Sequence, residues 1–305
     1  VQWLEQQPGH WRITSFNPHG DKPFHANSGW LFDIQDVRGY DSIIPKQYTD
    51  YMAAIEPQNE LQFNRVQPIA NWESLNSPLI DVLGVKYIIT AETIDLPKLM
   101  LAWEGEGLRV YENLAVAPRA YTLPLTSTAV ADNPLAAMTE FDPRNYVVVE
   151  NVSRLMIDDS IINHQSSISG SYQPASIDEY TNIQVMVSTE VLEPSWLILN
   201  DSYFPGWKAW IRPFGAGENT ETQVNVVRVN GNFRGVMIDP AALAEHYAEQ
   251  VENSDVVLSN AWSVRFRYSP ASFQLGALAS AMGGIILLFA LGVWGWRASS
   301  IPAPN

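Results

Sequence analysis

The sequence predicts an α+β protein with an N-terminal α/β unit, an antiparallel β-sandwich and a single C-terminal transmembrane helix. Three observations support this prediction. Helix and strand patterns alternate over residues 1–125, short strands separated by turn residues recur over residues 176–270, and no ionisable side chain occurs over residues 273–296. Apolar residues make up 46% of the chain and charged residues only 17%, a composition typical of a folded protein with a buried core.

The predicted α/β unit, residues 1–125, combines helices with buried strands. Residues 40–55 carry apolar side chains at helical spacing, with Pro45 near the predicted first turn. Residues 79–83 are predicted to form a short helix, and residues 85–90 the buried strand that follows it. These two helices and this strand are assigned to an α/β unit that ends near residue 125.

The second half of the chain changes to a strand-rich pattern. Residues 126–175 are predicted to connect the two folded units, with a linker or wide loop at the Ser/Gly-rich stretch 166–171. Over residues 176–270, alternating apolar and polar side chains between turn residues predict the β-sandwich. Residues 240–250 interrupt this pattern with helical spacing and predict a helical insertion before the last strand.

The apolar stretch of residues 273–296 predicts a membrane-spanning helix. At 1.5 Å per residue it is long enough to cross about 30 Å of hydrocarbon. A buried helix of a soluble protein is the alternative, but such helices are usually shorter and carry a polar stripe. Trp294 and Trp296 occur where an aromatic belt is expected, and Arg297 begins a predicted cytoplasmic tail, residues 297–305. The bulk of the chain is therefore expected on the extracytoplasmic side.

Charge and motifs exclude several classes of function. The net charge of −15 opposes binding to a phosphate backbone, so no nucleic-acid partner is expected. The chain has no cysteine, no P-loop, no dinucleotide fingerprint and no nucleophile elbow, and the spacing of its histidines matches no zinc motif. Asp33, Asp36 and the pair Asp158 and Asp159 are interpreted as solvated acids, so no metal or cofactor is predicted.

Five short motifs, read in order, resemble those of the YfhO family of bacterial membrane proteins. Asp-x-x-Gly-Tyr occurs at 36–40, Leu-Gly-Val-Lys-Tyr at 83–87, Tyr-x-Pro-Gly-Trp at 203–207, Asn-x-x-Phe-Arg-Gly at 230–235 and Tyr-x-Pro at 268–270, just before the apolar stretch. The resemblance spans most of the chain. It departs from the family pattern at residues 211–217 and in the predicted insertion at residues 240–250, which puts the function of these two segments in doubt.

The resemblance implies a role in envelope glycopolymer chemistry. Members of that family look like polytopic glycosyltransferases of the GT-C architecture that use sugars linked to a polyprenyl phosphate. Their catalytic carboxylate is in an early outer loop that this chain does not contain. The chain, which starts at Val1 without a leader pattern, is then expected to be the extracytoplasmic accessory region of a longer protein of the bacterial cytoplasmic membrane. Its implied partners are the lipid bilayer, upstream membrane helices, a lipid-linked sugar and a glycan acceptor.

Five residues are candidates for contact with a glycan or a lipid headgroup: Tyr203, Trp207, Trp210, Arg38 and Tyr40. Aromatic rings stack on the apolar faces of sugars, and the polar tips of Tyr and Trp suit a wet surface. The alternative is structural, with a Pro-Gly turn between two strands and both tryptophans in the sandwich core. At the level of function the alternative is a single-pass envelope binding or scaffold protein without enzymatic activity.

Overall fold

A computed structural model describes residues 1–20, 23–57, 65–150, 171–251 and 259–299. This part of the chain is an α+β structure with four β-sheets and six helices, as the sequence predicts. The first ten strands, in chain order, are β1 Arg12–Ser15, β2 Gln35–Asp36, β3 Gly39–Tyr40, β4 Arg65–Val66, β5 Val85–Thr90, β6 Leu99–Gly105, β7 Leu108–Asn113, β8 Ala120–Pro124, β9 Thr128–Ala131 and β10 Val147–Glu150. The others are β11 Gln173–Pro174, β12 Ser176–Tyr180, β13 Gln184–Glu190, β14 Ser195–Ser202, β15 Trp207–Pro213, β16 Thr222–Val224, β17 Val227–Val229, β18 Phe233–Ile238 and β19 Ala261–Tyr268. The helices are α1 Gln2–Glu5, α2 Lys46–Ile55, α3 Pro78–Val82, α4 Pro134–Ala137, α5 Pro240–Val251 and α6 Ala271–Ser299.

The N-terminal sheet has the strand order β2-β1-β5-β7-β6. Strand β1 runs parallel to β2 and β5, whereas β7 runs antiparallel to β5 and β6. The predicted short helix and buried strand are confirmed as α3 and β5. Ser77 caps α3 by accepting a hydrogen bond from the Leu79 amide, and Gly84, with φ +78°, turns the chain between the two elements.

Helix α2 begins later than the sequence predicts. The apolar spacing places its start at residue 40, but the helix begins at Lys46, because Pro45 is extended and residues 39–40 pair with residues 65–66 as β3 and β4. Helices α2 and α3 share one apolar cluster with the N-terminal sheet and with the seven-stranded sheet described next. For example, the hydroxyl of Tyr51 donates to the Leu79 carbonyl while its ring contacts that of Phe233.

A seven-stranded sheet forms the middle layer, with the order β11-β8-β14-β18-β17-β10-β9. Its strands come from all three predicted regions, since β8 belongs to residues 1–125, β9 to β11 belong to residues 126–175, and the other three follow residue 176. The pairing of β8 with β14 joins residues 120–124 to residues 195–199 in an antiparallel register. The sheet therefore continues across the predicted divisions at residues 125 and 176.

The sandwich consists of this middle sheet and a five-stranded sheet with the order β12-β13-β19-β15-β16. Apolar side chains of β14 and β18 pack against those of β13, β15 and β19. The predicted helical insertion is confirmed as α5, and its Tyr247 is buried in the same core.

Helix α6 extends from the last strand of the sandwich. It is long and apolar enough from Ala271 to Arg297 to cross a membrane, and none of its most apolar segment is buried against the rest of the described chain. A buried core helix would be covered, and a signal sequence would lie near the N-terminus. Large apolar side chains such as Leu288 and Phe289 are exposed along its length. These features fit a membrane anchor with the β-rich body at its N-terminal end.

Candidate functional site

A groove of about 630 Å³, lined by both polar and apolar residues, lies beside the β3–β4 ribbon. One wall is the loop that follows β1, from Asn17 to Gly20, and a second is the stretch from Phe24 to Ala26. The β3–β4 ribbon contributes Arg38, Tyr40 and residues 65–68. Two of the five predicted contact residues, Arg38 and Tyr40, therefore line one concave surface.

Arg38 is buried and held in place by its own chain. Its guanidinium makes two bonds to the Asp36 carboxylate, at 3.0 and 2.6 Å, and a third to the Phe24 carbonyl at 3.1 Å. Three of its five N–H donors are thus satisfied within the wall of the groove. Arg38 shapes the groove by fixing residues 24–26 against β3, and it retains two N–H donors.

Tyr40 occupies the rim of the groove with its backbone fixed and its ring free. The side-chain amide of Asn27 donates to the Tyr40 carbonyl at 2.6 Å and accepts from the Tyr40 amide at 3.1 Å. The residue is nevertheless 61% exposed. A positioned, solvent-facing aromatic ring of this kind can stack on the apolar face of a sugar.

Asn17 provides the feature of the groove that most directly indicates a ligand. The residue is only 7% exposed, and its Oδ1 atom has no hydrogen-bond partner in the part of the chain that the structure describes. Its backbone is bonded, since its amide donates to the Ile69 carbonyl at 2.7 Å. A buried acceptor without a donor costs free energy, and Asn17 is one of the residues that line the groove. In the sequence, Asn17 is followed by Pro18 and reads only as a turn residue.

Tyr203 and Trp207 lie elsewhere, at the end of the sandwich that meets α6. They flank a turn in which Gly206 has φ +110° and accepts a hydrogen bond from the Ser269 amide at 2.8 Å. The Trp207 ring packs under the Arg234 guanidinium, whose carbon is 3.4 Å from the ring centroid, and beside the Tyr268 ring. The turn predicted from Pro205 and Gly206 is confirmed, and it lies at the membrane end of the domain.

Trp210 lies neither in the groove nor at the 203–207 turn. Side chains alternate along a strand, so two residues three positions apart lie on opposite faces of the sheet. Trp207 packs on the inner face with Ala209, whereas Trp210 lies on the outer face under the Arg265 guanidinium, 4.6 Å from its ring centroid. The interpretation that places both tryptophans in the core is therefore wrong for Trp210.

A buried charge cluster, which the sequence analysis did not identify, joins the three large sheets. Asp201 at the end of β14 accepts hydrogen bonds from Arg12 at 2.7 Å, from Arg119 at 2.5 Å and from the Tyr180 hydroxyl at 3.1 Å. Arg234 lies 3.8 Å from its second oxygen. Burial alone would raise the pKa of Asp201, but the guanidinium groups of Arg119, Arg12 and Arg234 together lower it below its ordinary value. The cluster therefore stays ionised and holds the layers together.

The acidic residues considered in the sequence do not form a metal site in the described residues. The interpretation of Asp36 as a solvated acid is wrong, because its side chain is buried and bonded to Arg38. Asp33 is exposed, and Asp158 and Asp159 lie outside the described residues. Within that part of the chain, no group of three or more His, Asp or Glu side chains is arranged to hold a metal ion.

Fold and groove define a β-rich protein with an aromatic-edged cleft and a C-terminal helix that is long and apolar enough to cross a membrane. Comparison with family models, with curated proteins and with solved structures gives no match to this chain. The resemblance to the YfhO family accordingly remains a prediction based on the five motifs.

Proposed function

We propose that the chain is the extracytoplasmic accessory region of a membrane-embedded, YfhO-like glycosyltransferase, and that its groove binds a glycan acceptor. The observation that carries the proposal is the combination of the exposed Tyr40 ring with the unpaired, buried Oδ1 atom of Asn17 in one concave surface. A sugar offers an apolar ring face to the first and a hydroxyl donor to the second.

The size and lining of the groove support binding of a glycan. Its volume of about 630 Å³ falls within the range of roughly 300–1,000 Å³ typical of small-molecule sites. The lining combines the polar side chains of Arg38, His25 and Gln67 with the apolar side chain of Phe24, a mixture suited to an amphipathic sugar. Among the described residues, the lining includes no carboxylate. The groove is therefore suited to holding a glycan, while sugar transfer requires acidic residues supplied from outside it.

In this proposal, helix α6 tethers the groove to the membrane. An acceptor held close to the membrane surface is kept near a donor whose sugar is attached to a lipid, which raises the effective concentration of the two reactants. In this proposal the chemistry takes place in upstream membrane helices, and the reading frame preceding Val1 encodes these helices. An upstream region without hydrophobic spans would leave the non-enzymatic binding protein as the function.

Glycan binding is tested with the full chain in nanodiscs against a panel of bacterial envelope oligosaccharides. We expect binding to at least one oligosaccharide, weakened by about 3- to 10-fold in Tyr40→Ala and in Asn17→Ala, because each change removes one stacking or hydrogen-bonding contact. Phe214→Ala removes an exposed aromatic ring outside the groove and should leave the affinity unchanged. Equal affinities in all three variants, or no binding by the parent chain, would contradict the proposal.

A further inference from the structure

The end of the five-stranded sheet nearest α6 carries apolar and cationic side chains that are exposed or half-buried. Five residues, here called the membrane rim, make up this surface: Ile183, Phe204, Lys208, Arg267 and Tyr268. We propose that the membrane rim rests on the bilayer that α6 crosses and binds the phosphate groups of anionic phospholipids.

Backbone hydrogen bonds place the rim at the level where the chain enters the membrane. Strand β19 ends at Tyr268, and α6 begins three residues later. The Tyr268 amide donates to the Ile183 carbonyl at 2.8 Å, and the next amide, that of Ser269, donates to the Gly206 carbonyl at 2.8 Å. The β12–β13 turn and the 203–207 turn are thus both fixed beside the last residues before the helix.

Each of these two turns exposes a large apolar side chain. Ile183 is 59% exposed, and Phe204 is 44% exposed. The ring of Phe204 lies 6.5 Å from that of Tyr268, measured between centroids. Apolar and aromatic side chains close to the end of a membrane-spanning helix lie in the interfacial region of the bilayer, where burying their surface lowers the free energy.

The same rim carries two cations without protein partners. Lys208 and Arg267 are directly opposite each other in the β15–β19 register, on the outer face of the sheet, where like charges repel. In the part of the chain that the structure describes, neither side chain makes a hydrogen bond or an ion pair. Farther from the helix on the same face, Arg212 and Arg265 both form ion pairs with the Glu221 carboxylate. The two unpaired cations are therefore concentrated at the end that faces the membrane.

An anionic lipid surface is the partner that this charge pattern fits. The chain as a whole carries a net charge of −15 and would be repelled by anionic headgroups, so a local cationic pair at the point of contact is needed for a favourable approach. Phosphate groups lie in the interfacial region that begins where α6 enters, and Lys and Arg side chains extend into it from flanking positions. Each such cation strengthens the local attraction for anionic lipid by about fivefold.

The test uses the absence of native cysteine, which makes any introduced cysteine a unique labelling site. A nitroxide is attached at Ile183→Cys in the full chain, reconstituted in nanodiscs of phosphatidylcholine alone or mixed with phosphatidylglycerol. The control is Leu192→Cys, an exposed apolar position (76%) beyond the opposite end of β13. Accessibility to lipid-soluble oxygen and to an aqueous nickel chelate then reports the depth of each label.

We expect the label at residue 183 to favour oxygen over nickel, increasingly so with phosphatidylglycerol, and the label at residue 192 to remain in water. Lys208→Gln combined with Arg267→Gln should abolish the dependence on phosphatidylglycerol, and Lys208→Arg with Arg267→Lys should retain it. If the labels at residues 183 and 192 were equally accessible to oxygen and to the nickel chelate, the proposal would be overturned. The rim would then face solvent or upstream helices and not the bilayer. Insertion without any dependence on anionic lipid would overturn the headgroup contact. Neither result bears on glycan binding by the groove.

Discussion

At the scale of single residues, Asp201 is the group on which the layered structure depends most. One carboxylate is close to three arginines that come from the N-terminal sheet and from two positions in the middle sheet. The arrangement leaves an excess of buried positive charge, and the Nη1 atom of Arg234 and the Nε atom of Arg119 have no hydrogen-bond partner among the described residues. Removing the single anion would leave these cations facing one another without compensation.

Asp201→Asn should therefore destabilise the domain by about 3–5 kcal/mol, the cost of breaking a buried ion pair by removing one partner. The matched control is Glu104→Gln, which removes a carboxylate from an exposed pair with Arg109 and should cost less than about 1 kcal/mol. Thermal unfolding of both variants in nanodiscs, followed by tryptophan fluorescence, gives the comparison. Similar losses for the two changes would show that the cluster has no special role.

The same carboxylate should make stability depend on pH in the acidic range. Its pKa in the folded chain is lowered below the ordinary value of 3.8, so the unfolded chain takes up a proton first as the pH falls. The contribution of Asp201 is thus fully present above pH 3.8 and is lost as the pH falls through the folded pKa. We expect the difference in unfolding free energy between the parent and Asp201→Asn to stay constant from pH 7 down to pH 3.8 and to shrink below it. A difference that grows as the pH falls would show that the pKa of Asp201 in the folded chain is raised and not lowered.

At the level of single residues, the predicted contact of Tyr40 with a glycan or headgroup stays a prediction, whereas the structure shows where the side chain lies. Tyr40 was selected from a short motif, and its ring does lie on the rim of a groove because β3 pairs with β4. The role of Asp201 was missed because its partners Arg12 and Arg234 are far away in sequence or on another strand. Asn17 was missed because an unpaired acceptor becomes apparent only when its surroundings are known.

At the scale of elements, the turn between β14 and β15 links the sandwich to the helix. Gly206 has φ +110°, and a Cβ atom there would lie 2.9 Å from the Pro270 side chain and 3.0 Å from its backbone. The turn therefore requires glycine for two separate reasons, a left-handed backbone and close approach to the residue that precedes α6.

Gly206→Ala should destabilise the domain by about 1–3 kcal/mol, as expected for a strained backbone position with a steric clash. Gly215→Ala is the control, because that glycine also has a positive φ, +82°, but a Cβ atom there would meet nothing within 4 Å. Thermal melts of the two variants separate the backbone cost from the clash. An equal loss of stability in both would mean that the contact with Pro270 contributes nothing.

Element prediction from the sequence was accurate for strong local signals and failed where pairing decides. The apolar run and the flanking Ser77 and Gly84 defined α3 and β5, and the length of the apolar stretch defined α6. The start of α2 was misplaced because residues 39–40 are drawn into a ribbon with residues 65–66, a pairing that helical spacing does not reveal. The same limit applies to Trp210, whose face follows from strand alternation only once the bounds of β15 are known.

At the scale of the whole molecule, the middle sheet is what the sequence least reveals. Strand β8 pairs with β14, and β10 pairs with β9 and β17, so strands from all parts of the chain meet in one layer. Composition and turn spacing indicate that strands exist but not which strands are neighbours. The helix α6 is the opposite case, because its signal is contained entirely in consecutive residues.

The proposed function depends most on one feature of topology: α6 must cross the membrane with the β-rich body on the extracytoplasmic side. Because the chain has no cysteine, a single cysteine at Leu192, or one appended after Asn305, can be labelled in intact cells with a membrane-impermeant maleimide. We expect the cysteine at residue 192 to be labelled in intact cells, and the appended cysteine to be labelled only after permeabilisation. Protection of residue 192 in intact cells, with labelling only after permeabilisation, would place the body in the cytoplasm and contradict the proposed function.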